Sequence, residues 1–296
     1  MNIILTGSLG NISKPLAMEL IAKGHSITII SSKADKQKDI EALGAKSAIG
    51  SLENADFLIA TFKNADAVYC MIPPNFAALD QVAYYIRIGN NYAQAIEQSG
   101  VKRVVHLSSW GAHLEKGTGV ILGSHNVEVI LNKLSNVAIT HLRAGSIFYN
   151  LFSFINAIKK AGFISRNYGC DDKIVWAHPT DIAAAAAEEL QKKLITGSNV
   201  RYVASDEKTA SETAKIIGNA IGKPDLQWLL ITDEQAKEGM IKNGIPASIA
   251  ADLVDLNASI HSGAMGEDYE LNKPGIMGKI KVEDFAKEFA AAYNQQ

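Results

Sequence analysis

Thr6-Gly7-Ser8-Leu9-Gly10-Asn11-Ile12-Ser13 is the stretch whose residue types and spacing best suit chemistry. It follows an apolar run, Asn2–Leu5, and opens a helical stretch over residues 14–23. Strand, glycine turn and helix together present orphan N–H groups and the positive end of a helix dipole to an anion. Gly7 permits the tight turn, and Gly10 permits close backbone approach to a pyrophosphate. Ser13 stands at the third small position. Gly7, Leu9, Gly10, Asn11 and Ile12 are therefore predicted to hold the diphosphate of a dinucleotide. The competing reading is an ordinary strand-to-helix turn that needs glycine for its shape.

In dinucleotide folds the end of the second strand meets the adenosine ribose, and an acidic residue there selects NAD. Here the segment reads Ile30-Ser31-Ser32-Lys33-Ala34, with no carboxylate before Asp35. Ser31 and Ser32 can donate hydrogen bonds, and Lys33 supplies a point charge suited to phosphate. This favours NADP over NAD, the alternative being a solvated polar turn with an incidental lysine.

The elements that must position these residues follow from periodicity. Apolar runs at residues 2–5, 26–31, 46–49, 67–72, 103–108 and 138–143 alternate with helical patterns at 15–23, 36–43, 53–63, 77–99 and 125–134. Several runs are nearly continuous Val and Ile, as strands buried on both faces should be. Right-handed crossovers then give an α/β fold, a doubly wound parallel sheet of Rossmann type. Beyond residue 150 the regularity loosens: helix 151–160, a short hairpin over 163–176, helix 180–190, strand 200–203, and helices at 210–221, 233–243, 247–261 and 282–292. We expect a dinucleotide-binding domain over residues 1–150 and a smaller α+β substrate-binding cap over 151–296, interleaved with it.

Composition narrows the partners. A formal net charge of -2 supplies no basic field, which argues against nucleic acid. Of the two cysteines, Cys70 lies in an apolar run and reads as a small hydrophobe. No secretory signal and no apolar stretch of membrane-spanning length occur, so a cytoplasmic protein acting on a small molecule is expected. Neither Cys/His pairs with metal-ligand spacing nor a G-x-S-x-G elbow is present. Nothing in the sequence speaks to oligomeric state.

Read together, four segments resemble the NmrA-like branch of the atypical short-chain dehydrogenase/reductases. Thr6 to Ser13 is similar to the family's glycine turn. Gly50-Ser51-Leu52 with Ala65-Asp66-Ala67-Val68-Tyr69 resembles its third and fourth strands, and the latter runs on into Met71-Ile72-Pro73-Pro74-Asn75. His106-Leu107-Ser108-Ser109-Trp110-Gly111 ends the fifth strand in the family's manner, and residues 141–150 resemble its L-R-P-G-x-F-x-x-N stretch. The resemblance implies that Ile72, Pro73 and Pro74 pass the adenine and ribose. It also implies either a nicotinamide-dependent reductase of quinones and phenolics or a regulator that binds the dinucleotide without catalysis.

Most short-chain dehydrogenases use a Tyr-x-x-x-Lys pair. With Glu128 aligned to the acid that often follows that lysine, Ser124 falls at the lysine and Val120 at the tyrosine, so both catalytic groups are missing. His125, one position on, is the remaining acid–base candidate; its imidazole can give or take a proton near neutral pH, or simply bond backbone. Ser108 is expected at the nicotinamide ribose and Ser109 at a substrate oxygen, against a turn-capping role for both. Phe148, Tyr149 and Asn150 are the candidate substrate-pocket residues, with core packing the alternative for Tyr149. His178 precedes a helix entry, Pro179-Thr180-Asp181, and is read first as part of a cap.

Overall fold

Short runs that bury every side chain must lie inside a sheet, and the first half of the chain alternates them with helices. The computed structural model describes residues 1–75 and 77–295. The alternation runs β1 (Asn2–Leu5), α1 (Ser13–Ala22), β2 (Ser26–Ser31), α2 (Gln37–Ala42), β3 (Lys46–Ile49), α3 (Ala55–Phe62), β4 (Ala67–Cys70), α4 (Gln81–Ser99), β5 (Arg103–Ser109), α5 (Ile121–Leu131) and β6 (Ala138–Ala144). Then come β7 (Ser146–Ile147), α6 (Ile155–Ala161), β8 (Ile164–Arg166), β9 (Lys173–Ala177), α7 (Pro179–Gln191), β10 (Gly197–Val203), β11 (Asp206–Thr209), α8 (Ala210–Ala220), β12 (Trp228–Leu230), α9 (Asp233–Lys242), α10 (Ala247–His261), α11 (Glu267–Leu271) and α12 (Val282–Gln295).

The main sheet has seven strands in the order β10-β6-β5-β4-β1-β2-β3. β1 pairs in parallel with both β2 and β4, and the strand order reverses between β1 and β4. In open α/β sheets such a reversal leaves a crevice at the carboxyl ends of the strands, where ligands bind. This is the Rossmann-like α/β fold. One face of the sheet packs Leu58 and Phe62 of α3 and Ile88 and Tyr92 of α4 against Ile4, Ile30, Val68 and Val104. Cys70 lies in that core, and burial pushes its thiol far above the ordinary range.

The chain forms two compact units, one of Met1–Ser108, Gly123–Arg143 and Ile182–Arg201, the other of Ser109–Leu122, Ala144–Asp181 and Tyr202–Gln296. The second carries a three-stranded sheet, β11-β9-β7, a two-stranded one, β12-β8, and most of the later helices. Its core is aromatic: Phe148 stacks on Trp176 at 5.7 Å and on Phe285 at 5.0 Å, and Phe152 stacks on Phe289 at 6.0 Å. Asp181 accepts hydrogen bonds from the Lys279 and Ile280 amides and from Ser205 Oγ, fixing the segment that leads into α12.

The expected hairpin over 163–176 does not form. β8 pairs in parallel with β12, whereas β9 pairs antiparallel with β11. Between them Asn167 is drawn inward, donating to Asp233 and to the Val254 carbonyl and accepting from Asn257, so the two strands diverge. Helix α5 begins four residues earlier than its apolar spacing suggests, and α4 starts at Gln81, where the Asp80 carboxylate caps the Ala83 amide. No helix among the described residues is long and apolar enough to cross a membrane.

Candidate functional site

The turn after β1 is shaped by two glycines, of which Gly7 has no room for a side chain and Gly10 has little. Gly7 has φ +94°, and a Cβ there would lie 2.5 Å from Ser13 Oγ and 2.9 Å from Met71 Cγ. A Cβ on Gly10 would come within 3.0 Å of the Gly7 carbonyl. Ser8 also takes a positive φ, +53°. The Gly10 amide bonds the Gly7 carbonyl, the Lys14 amide bonds the Gly10 carbonyl, and Ser13 Oγ donates 2.8 Å to the Thr6 carbonyl. Ser13 thus does structural work at the third small position of the turn: its hydroxyl closes the turn. The first turn of α1 holds no acidic residue, so nothing there competes with a bound anion.

The neighbouring strand ends are tied to this turn. The Ser8 amide bonds the Ile30 carbonyl at the end of β2, and Ser8 Oγ bonds Ser31 Oγ at 3.0 Å. Ser31 is buried, and its hydroxyl also accepts from the Lys33 amide. Its hydroxyl is therefore occupied in fixing the loop, while the side chains of Ser32 and Lys33 are exposed. On the other side, Thr6 Oγ1 accepts from the Met71 amide at 2.8 Å, and Tyr92 donates to the Met71 carbonyl at 2.6 Å. This holds Ile72, Pro73 and Pro74 beside the glycine turn, with Ile72 buried, Pro73 half-buried and Pro74 exposed. Leu9 is half-buried, Gly10 and Asn11 are exposed, and Ile12 packs inward. The structure thus brings the glycine turn, the end of β2 and the exit of β4 together at the point where the strand order reverses. A turn with no room for a Cβ at Gly7, beside an exposed lysine and an acid-free helix start, fits a dinucleotide diphosphate and its 2′-phosphate.

Ser108, at the end of β5, is buried and donates its hydroxyl to Glu128 Oε1 at 2.5 Å. Arg143 of β6 grips the same carboxylate in a bidentate pair, Nε to Oε1 at 3.0 Å and Nη2 to Oε2 at 2.7 Å. Glu128 therefore fastens α5 to β5 and β6. His125 is half-buried on that helix, three residues before Glu128, and neither a tyrosine nor a lysine occurs on α5. On β5 and β6, His106 and His141 form a buried pair, Nδ1 to Nδ1 at 3.0 Å, with His141 Nε2 bonded to Asn132. Burial lowers both imidazoles, His141 to about 4 and His106 well below its ordinary value, so both are neutral.

In the second unit Ser109 is half-buried and donates to the Trp110 carbonyl. Phe148 is fully buried in the aromatic stack and has no surface to offer a ligand, whereas Tyr149 is half-buried and Asn150 exposed. The Tyr149 hydroxyl donates to Glu288 at 3.2 Å, and its ring meets His178 edge-on at 5.8 Å. His178 accepts from the Thr180 amide at Nδ1, which places its proton on Nε2, 3.3 Å from Glu288. Burial and the Glu288 charge raise the Tyr149 phenol. Glu288 escaped the sequence reading because it lies on α12, remote in sequence, with no motif around it.

The profile of the NmrA-like family matches residues 1–275. The chain is 26% identical over 306 residues to the NAD(P)H azoreductase of Xenophilus azovorans, covering 98% of this chain and 99% of that protein. Among solved structures it is similar to an NADPH-dependent quinone oxidoreductase of Escherichia coli complexed with NADPH, with TM-score 0.82 and 18% identity over 97% of this chain and 99% of that one. It is likewise similar to the triphenylmethane reductase of a Citrobacter species, with TM-score 0.81 and 18% identity over 98% and 100%.

Proposed function

The chain belongs to the NmrA-like family, and from that premise we propose that it is an NAD(P)H-dependent reductase acting on a small conjugated acceptor such as a quinone or enone. The observation that carries this reading is the Gly7–Ser13 cradle, which has no room for a Cβ at Gly7, is tight at Gly10 and opens on an acid-free helix start. The full-length likeness to an NAD(P)H azoreductase supports the oxidoreductase class.

The backbone at Gly7, Leu9, Gly10, Asn11 and Ile12 holds the diphosphate. Lys33 and Ser32 meet the 2′-phosphate, with Ser31 and Ser8 locking the loop behind them. Ile72, Pro73 and Pro74 line the adenosine. When bound, NADPH supplies hydride. The residues need supply only a proton, because a quinone spreads the incoming charge over its ring. His125 holds that proton in place of the missing tyrosine. Ser109, Tyr149 and Asn150 orient the acceptor.

NADPH consumption against a panel of quinones and enones tests this. Turnover with quinones is expected, with none on simple secondary alcohols, because Val120 and Ser124 replace the usual pair. A general acid contributes about 10²–10⁴-fold, so His125→Ala should lower kcat by at least about tenfold. The lack of a tyrosine and a lysine on α5 favours a second reading, a dinucleotide-binding regulator acting through a protein partner. Tight NADPH binding without turnover on any acceptor would decide for it.

A further inference from the structure

Arg166 ends β8 in the second unit, opposite Leu230 of β12. Its guanidinium lies over the Phe154 ring, 4.5 Å from the centroid, and the residue is half-buried. Phe154 meets Trp228 edge-on at 5.0 Å, and the Trp228 ring lies 5.3 Å from that of Tyr168. The Trp228 indole donates to the Tyr168 carbonyl at 3.0 Å. Phe154, Trp228 and Tyr168 are all buried, so the guanidinium rests on a fixed aromatic frame.

What this arginine lacks is an acid. Arg87 pairs with Glu53, Arg143 with Glu128 and Arg201 with Glu188 and Glu189, and the Glu189 charge acts on Arg103. Among the described residues the Arg166 side chain makes one hydrogen bond, from Nη1 to the Ser165 carbonyl at 2.9 Å, and no ion pair. Nε and Nη2, an edge of the fork that can grip a carboxylate through two parallel bonds, are unused. Arginines taken out of water are normally paired, because desolvating a charge without a partner is costly. That cost shows in the guanidinium, which burial holds below its ordinary value. Burial pushes the Tyr168 phenol up to about 12 against the pull of Arg166, and its hydroxyl makes no hydrogen bond among the described residues. Tyr168 is thus a neutral donor within the field of a cation. Leu230, in register with Arg166 and so on the same face of the strand pair, is 42% exposed.

We propose that Arg166 binds the carboxylate of a small apolar acid, its Nε–Nη2 edge gripping the two oxygens, with Tyr168 donating to one of them and Leu230 packing on the apolar body. One planar positive charge matches a carboxylate in charge and in shape. A neutral amide would leave the guanidinium uncompensated, and a cation would be repelled. These residues all belong to the second unit and the test uses no dinucleotide, so the fate of this site is separate from that of the reductase reading.

Calorimetric titration of the full chain compares benzoate with neutral benzamide, similar in shape, and with acetate, which lacks the ring. Benzoate is expected to bind about tenfold or more tightly than either, and its affinity to fall as salt is added. Arg166→Met should lower benzoate affinity by about tenfold or more, and Tyr168→Phe by about threefold. Arg166→Lys keeps the charge without the fork and should bind benzoate less tightly than the native chain. The unfolding midpoint of Arg166→Met should hold, since methionine keeps a contact with Phe154 and no ion pair is lost. An arginine that served only to pack would instead lower the midpoint and leave benzoate affinity unchanged. No heat from benzoate at millimolar concentration, benzamide or acetate binding as tightly as benzoate, or undiminished affinity in Arg166→Met would each overturn the proposal.

Discussion

Replacing Arg143 by methionine keeps an apolar stem of similar length but removes the guanidinium that grips Glu128 through two bonds, at 3.0 and 2.7 Å. Glu128 is 5% exposed and would keep the Ser108 hydroxyl as a donor but no guanidinium. Stranding a buried charge in this way costs about 3–5 kcal/mol, whereas replacing both members of a buried pair is often close to neutral. The partner substitution Glu128→Gln removes the charge and keeps an oxygen for Ser108, avoiding the further 1–3 kcal/mol or so of an unsatisfied hydroxyl. Arg143→Met alone should therefore destabilise by about 3–5 kcal/mol, and the double variant should recover at least about 2 kcal/mol of that. Because the chain forms two compact units, global unfolding is a poor gauge; native-state hydrogen exchange at the α5 and β6 amides reads the local opening free energy directly. A single-variant cost under about 1 kcal/mol, or a double variant no better than the single, would refute the view that this pair is a buried anchor rather than a solvated contact.

Gly7→Ala should destabilise by about 2–4 kcal/mol, combining a positive φ with loss of the Ser13–Thr6 hydrogen bond, and should abolish NADPH binding; thermal unfolding and titration check both. Lys33→Glu should reverse the cofactor preference, lowering NADPH affinity by about tenfold or more while sparing NADH, and equal effects on the two would remove Lys33 from the 2′-phosphate. His106 and His141 are neutral in the fold and ionise more readily once unfolded, with His141 at about 4 against 6.5. Their contribution is accordingly complete above pH 6.5 and lost as pH falls toward 4. Urea midpoints measured across that interval should fall more steeply in the native chain than in a His106→Phe/His141→Leu variant, and parallel curves would contradict the assignment.

The parallel sheet was legible because β4 and β6 bury every residue and β2 and β5 most of theirs, which leaves short, predominantly apolar runs. The glycine turn was legible because its φ values and tight spacing admit few other residues. The hairpin error has the opposite cause: Asn167 is steered by Asp233, Val254 and Asn257, partners far away in sequence. The same holds for Ser31, whose type suggests a ligand contact while its surroundings, Ser8 and the Lys33 amide, consume its hydroxyl. Glu128 served as an alignment marker, and only the fold reveals the arginine that occupies it. Local pattern thus reports backbone conformation and burial well, and reports poorly which polar group another polar group will find.

The aromatic stack of the second unit has a consequence for how the chain is made. Phe148 and Trp176 cannot complete their packing until Phe285 and Phe289 of α12 have left the ribosome, whereas the last segment of the first unit ends at Arg201. During synthesis the seven-stranded sheet can close while the second unit still exposes Phe148, Phe152 and Trp176 to solvent and chaperones. Translational pausing after α7 would lengthen that exposure, so the yield of folded protein should be more sensitive to synthesis rate downstream of residue 201 than upstream of it.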